Sequence, residues 1–204
     1  RPFRDVLVAE MEKYAADNDI PIALPDLGRL LETLAASRPA GRILEIGAAI
    51  GYGTLRLARG AREGRVVAIE RDPARIAIAR QYLETGGVLA RVELLEGEAL
   101  EVLRGVRGPF DLVYIDGDKR DYRRCLDLTA GIGARAEVTF VFEAKNAGRA
   151  GAGDDGDFVQ RISSSEVGQL RPLADGGVDR FDDLLAVRAI HQEANDLRVS
   201  QKRA

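Results

Sequence analysis

The chain has 204 residues, 46% hydrophobic and 31% charged, with a net charge of −3. That is enough for one α/β domain with a sizeable core. Acids and bases are interspersed and tryptophan is absent, so neither nucleic acid nor an anionic membrane is expected as a partner. No apolar run approaches the roughly 20 residues of a bilayer span, and no signal peptide is visible. Arg1-Pro2-Phe3 reads as an interior start, so the true N-terminus is expected upstream. Cys125 is the only cysteine, which fits a reducing cytosol and a cytoplasmic location. His191 is the only histidine and lies in a polar stretch. This argues against Ser-His-Asp or Cys-His chemistry and against a His-based zinc site.

In chain order, Val6, Leu7, Met11 and Tyr14 predict a helix over 4–16. Pro21 and Pro25 make 20–25 an extended loop. Asp26 is expected to cap a helix through Leu27, Leu30, Leu31 and Leu34, closed by Pro39-Ala40-Gly41. Residues 42–46 read as a short buried strand and 54–59 as a helix. "RVVAIE" at 65–70 is a second buried strand, and Asp72-Pro73 caps a helix over 73–84. Strands follow at 90–97, 110–116 and 136–144, with helices at 98–104 and 119–130 between them. The Gly/Asp-rich stretch 147–157 is the best candidate for a mobile loop. "FDDLLAVRAI" at 181–190 reads as a late strand, and a polar tail follows. Strands spaced by helices mean βαβ units and a mostly parallel sheet covered on both faces. The chain reads as one domain, 1–204: N-terminal helices over 1–40, an α/β core over 41–190, and a tail over 191–204.

The strand ends carry the chemistry. In an open parallel sheet, ligands sit at the carboxyl ends of the strands, where the strand order reverses. The first strand ends in "LEIGAAIGYGT", which places Gly47, Gly51 and Gly53 in a G-x-x-x-G-x-G turn. This is not the G-x-G-x-x-G that seats a pyrophosphate on a helix N-terminus. Glu45, just before the first glycine, repels a pyrophosphate and suits a positively charged ligand. Glu70 ends the second strand, 23 residues after Gly47, where an acid accepts hydrogen bonds from ribose hydroxyls. Gly97-Glu98-Ala99 ends the third strand and Asp116-Gly117-Asp118-Lys119 the fourth. Taken singly, each is a tight turn or a solvated strand end; together, the four outline a nucleoside pocket.

"LEIGAAIGYGTLRLA", "VVAIERDPARIAIAR", "VELLEGEALEVL" and "FDLVYIDGDKRDY" together resemble the class I S-adenosylmethionine-dependent methyltransferases. The similarity is to the catechol and caffeoyl-CoA type O-methyltransferases and their bacterial relatives, O-methyltransferase family 3. It covers about 20–130, and the Asp-x-Asp-Lys-x-x-Tyr block is its most specific piece. The resemblance implies a Rossmann-like α/β fold: a seven-stranded, mostly parallel sheet with one antiparallel strand and helices on both faces.

The resemblance also implies roles. Glu45 and Gly47 would line the methionine end of S-adenosylmethionine. Gly53 stands where the family has a serine that contacts the cofactor's carboxylate, so one hydrogen bond is lost. Glu70 would hold the ribose, Glu98 and Ala99 would border the adenine, and Ala23 would close over the cofactor. Asp116 would ligate a divalent cation, Mg²⁺, and lie near the cofactor amine. Lys119 would take the proton from the hydroxyl of a small acceptor, an aromatic diphenol-like molecule. Tyr122 reads equally as a packing residue or as part of the acceptor site.

One region departs from the family. Its Asp-Asn pair at the end of the fifth strand is replaced by Glu143-Ala144-Lys145-Asn146. Glu143 is the candidate replacement metal ligand, while Lys145 repels a cation. Dimerisation is common in the relatives, and the amphipathic 4–16 segment is compatible with a homodimer or with intramolecular packing. Two alternatives follow. One is a cofactor-binding protein that has lost catalysis, motivated by 143–146. The other is a short-chain dehydrogenase, which needs Tyr-x-x-x-Lys. Four residues after the five tyrosines stand Asn18, Arg56, Gly86, Asp118 and Leu126, so that pair is missing.

Overall fold

Elements alternate along the chain, as the sequence pattern requires. A computed structural model describes residues 5–37, 41–132, 137–142 and 158–163, the last two segments by their backbone. Helices α1 (Val6–Asp17) and α2 (Pro25–Ala36) precede strand β1 (Arg42–Ile46). Then come α3 (Tyr52–Ala61), β2 (Arg65–Glu70), α4 (Pro73–Thr85), β3 (Val92–Glu96), α5 (Ala99–Gly105) and β4 (Leu112–Ile115). A 3₁₀ turn, Lys119–Asp121, leads into α6 (Tyr122–Gly131), followed by β5 (Glu137–Phe142) and β6 (Phe158–Ser163). The described residues all fall in one unit, Arg1–Leu170. Among them no helix is long and apolar enough to cross a membrane.

The strand order is β3-β2-β1-β4-β5-β6. All pairings are parallel except β5 with β6. The chain winds outward from β1 to β3, then returns to lay β4 on the other side of β1. The crevice beyond the carboxyl ends of β1 and β4 is therefore the switch point of the sheet.

Helix starts follow local chemistry. Asp5 accepts from the Val8 amide at 3.2 Å to open α1. Asp72 accepts from Ala74 at 2.9 Å to open α4, with Pro73 in its first turn, as expected. The expected Asp26 cap is corrected: α2 begins at Pro25, and Asp26 lies in its first turn. Proline's fixed φ starts the helix one residue early and needs no capping partner for an amide it lacks. Asp26 there still complements the helix dipole. Helix α3 starts at Tyr52 rather than Thr54, directly after the left-handed Gly51, and is buried on nearly every side. The expected strand at 90–97 is shorter, because Leu89–Arg91 forms a 3₁₀ turn. Strand β6 had no counterpart among the expected elements. The expected strand at 181–190, the 147–157 loop and the tail lie outside the described residues.

Strand alternation sorts side chains onto two faces. Ile43, Val66, Ala68, Leu112 and Tyr114 face one core, together with Leu27, Leu31, Leu55 and Met11 of the helices. Leu44, Ile46, Val67, Ile69, Val113 and Ile115 point the other way and are also buried. Each fully buried aliphatic side chain contributes on the order of 1.5–3 kcal/mol. The same alternation puts Glu45, Glu70 and Asp116 on the first face, at or just beyond the carboxyl ends of β1, β2 and β4. Helix α1 is tied over this face through edge-on contact of Tyr14 with Tyr82 and an Asp5–Arg59 ion pair. The Tyr52 hydroxyl donates to Glu12 at 2.9 Å.

Candidate functional site

A cavity of about 320 Å³ opens at the carboxyl ends of β1, β2 and β4. Its floor is the turn after β1. Gly47 has φ +95° and donates its amide to the Ile69 carbonyl at 2.9 Å. A Cβ on Gly47 would stand 2.4 Å from the Asp116 carbonyl oxygen, so only glycine fits between β1 and β4 here. The Asp116 amide in turn donates to Ile46 at 2.8 Å. These contacts pin the two strand ends together at the switch point.

Three strand-end carboxylates, Glu45, Glu70 and Asp116, line the cavity, together with Glu98, Asp118 and Asp121 and two cations, Arg71 and Arg75. Glu45 is 1% exposed and accepts a hydrogen bond from the Thr54 hydroxyl. Burial pushes its carboxyl up to about 8; Asp116 and Glu70 push the same way, and the Thr54 hydrogen bond opposes them. A Cβ on Gly53 would lie 2.3 Å from Glu45 Oε1 and 3.2 Å from the Tyr114 ring. The missing side chain at 53 is therefore what gives the Glu45 carboxyl its place. Glu70 is held by three backbone amides: Ala49 at 2.8 Å, Arg71 at 2.9 Å and Asp72 at 3.0 Å. It braces the glycine turn through Oε2 and the β2–α4 turn through Oε1, with lone-pair capacity left on Oε2.

Of the other sequence candidates, Ala23 is buried in the loop before α2 and lines the cavity. Glu98 and Ala99 line it from the start of α5, and Arg71 reaches Glu98 at 3.8 Å across the rim. Lys119 lies in the 3₁₀ turn after β4, three residues beyond Asp116. Glu143, Lys145 and Asn146 lie outside the described residues. Among the described residues no three histidine, cysteine or carboxylate side chains gather to hold a metal ion. Those residues do not by themselves fit one.

Sequence reasoning gave no role to Tyr114, Thr54 or Cys125 at this site. Tyr114 and Cys125 line the cavity, and Thr54 bonds Glu45. Tyr114 was legible in principle, because it stands two residues before Asp116 and so shares its face of the sheet. Tyr122 is 5% exposed and lies on the cavity wall. Burial raises the Cys125 thiol to about 11, which makes it a wall and not a nucleophile. Asp118, at the mouth, is drawn down to about 2 by its hydrogen bonds from Arg120.

Residues 5–132 match the family model described as O-methyltransferase. The chain belongs to the O-methyltransferase family. It is 39% identical over 135 residues to a catechol O-methyltransferase of Mycobacterium tuberculosis, covering 65% of this chain and 61% of that protein. It is 35% identical over 124 residues to a catechol O-methyltransferase of Niastella koreensis, covering 58% and 56%. A crystal structure of the O-methyltransferase from Bacillus cereus in complex with SAH is 31% identical, with a TM-score of 0.62. That match covers 68% of this chain and 66% of the other. The chain thus spans about three fifths of the length of the curated relatives it matches. The expected Rossmann-like methyltransferase fold is borne out, and the dehydrogenase alternative falls away.

Proposed function

We propose that the protein is an S-adenosylmethionine-dependent O-methyltransferase. One observation carries this reading. Three carboxylates from three adjacent strand ends share one cavity beside a glycine turn with no room for a side chain. Such strand ends suit a nucleoside whose amino-acid end presents an α-ammonium, and they disfavour a pyrophosphate. The relatives named as O-methyltransferases support the same ligand.

When bound, S-adenosylmethionine supplies an electrophilic methyl group on a sulfonium. This chain's residues position the two reactants, and positioning does much of the work of an in-line displacement. Glu45, Gly47 and Asp116 hold the methionine end, Glu70 takes the ribose hydroxyls, and Glu98 and Ala99 border the adenine. Ala23 closes over the cofactor. Lys119 accepts the proton of the acceptor hydroxyl as the methyl group arrives. The acceptor is a small aromatic diphenol-like molecule, a reading supported by the two relatives named catechol O-methyltransferase. Mg²⁺ assistance belongs to the proposal with Asp116 and Glu143 as ligands.

A second reading, cofactor binding without turnover, is favoured by Lys145 standing inside the stretch that would complete a metal site. Calorimetric titration with S-adenosylhomocysteine, with NAD as control and with Mg²⁺ present or chelated, tests the cofactor. Micromolar binding of S-adenosylhomocysteine alone is expected; a folded sample that binds neither ligand refutes the proposal. Methyl transfer to catechol then separates the enzyme from the binding protein.

A further inference from the structure

Tyr114 is wholly buried, yet its hydroxyl reaches the cavity and donates to Asp116 Oδ2 at 2.8 Å. The strand explains the geometry. Residues i and i+2 project from the same face, so the ring of Tyr114 runs beneath the carboxylate of Asp116. On β1 the register partner of Tyr114 is Glu45. The backbone of Asp116 is already fixed, its amide on Ile46 and its carbonyl packed against Gly47. Its side chain lies just beyond the end of β4. The phenol holds one carboxylate oxygen, Oδ2, through this hydrogen bond. Gly53 makes the arrangement fit, since a Cβ there would crowd both the Tyr114 ring, at 3.2 Å, and Glu45, at 2.3 Å. Tyr114 and Gly53 are thus complementary in volume, and between them they contact two of the three strand-end carboxylates.

We propose that Tyr114 is a positioning residue that orients the Asp116 carboxylate toward the amino-acid end of the cofactor. The inference rests on the cofactor assignment made above. The test compares wild type with Tyr114→Phe, which keeps the ring and removes only the hydroxyl. Calorimetric titration with S-adenosylhomocysteine is expected to show affinity weakened about three- to tenfold, the worth of one net hydrogen bond. The melting temperature should stay unchanged, because the ring still fills the core. In turnover, the loss should fall on KM for S-adenosylmethionine more than on kcat. Gly53→Ala, which pushes on the same ring, should weaken binding in the same direction.

Equal affinity and equal KM in wild type and Tyr114→Phe would overturn the positioning role and leave the cofactor assignment standing. A loss of affinity matched by a fall in melting temperature would overturn it too, marking a merely structural role. Failure of the folded wild type to bind S-adenosylhomocysteine would overturn both.

Discussion

Replacing Glu45 by glutamine removes one ionisable group while keeping its shape and an oxygen for the Thr54 hydroxyl. The wild-type carboxyl is buried, shares its cavity with Asp116 and Glu70, and is raised from 4.5 to about 8. Between those pH values the empty native state holds a proton that the unfolded chain has lost. Stability therefore falls as pH rises across that window, by up to about 1.4 kcal/mol per pH unit, and levels off above about pH 8. Accumulated over the window, the effect reaches several kcal/mol. A ligand carrying an α-ammonium prefers the ionised carboxylate. Its affinity should accordingly rise with pH over the same range, and near neutrality its binding should release close to one proton. Glu45→Gln should flatten both dependences and be more stable than wild type above about pH 8. Urea denaturation across the window reads the first dependence. Calorimetric titration with S-adenosylhomocysteine in buffers of different ionisation enthalpy, with chelator present, counts the protons. The same proton count and the same pH slopes in wild type and variant would refute the reasoning.

Glu70→Ala should weaken S-adenosylhomocysteine binding by tenfold or more and lower the melting temperature, because the amides of Ala49, Arg71 and Asp72 lose their common acceptor. Unchanged affinity by calorimetry would remove the ribose assignment. Lys119→Ala should abolish methyl transfer to catechol and spare cofactor binding; retained turnover would show that another group takes the proton. Gly47→Ala should cost about 1–3 kcal/mol in chemical denaturation, since φ is +95° and the added Cβ meets the Asp116 carbonyl. A variant as stable as wild type would show that this turn relaxes.

The parallel sheet was legible because β1, β2 and β4 are buried on both faces and read as continuous apolar runs between turn signals. The site was legible where backbone demands specify a residue type. Gly47 is forced by the neighbouring strand end, and Glu70 closes a strand at the expected distance from it. What escaped was set by packing. Helix α3 was expected over 54–59, but its start at Tyr52, inside the glycine turn, is set by packing. The Glu45–Thr54 bond depends on the space left by Gly53, which a one-dimensional pattern does not display. Glu70 was expected to meet a ribose, and its first partners are three amides of the turns it braces. A carboxylate that a fold uses to shape its own loop looks the same in sequence as one kept for a ligand.

That double use bears on the choice of ligand. A dinucleotide site built on this topology offers free amides to a pyrophosphate at the turn after β1. Here the Ala49 amide of that turn is engaged by Glu70, and the Gly47 amide by the Ile69 carbonyl. The strand-end groups facing the cavity are carboxylates, and its cations, Arg71 and Arg75, come from the β2–α4 side, so the turn after β1 presents acceptors where a pyrophosphate needs donors. Hydrogen-bond polarity at this turn therefore selects for a ligand that is neutral or cationic along its middle and rich in donors at its ends. The hydroxyls of a ribose and the ammonium of an amino acid meet that description, and two phosphates in their place do not.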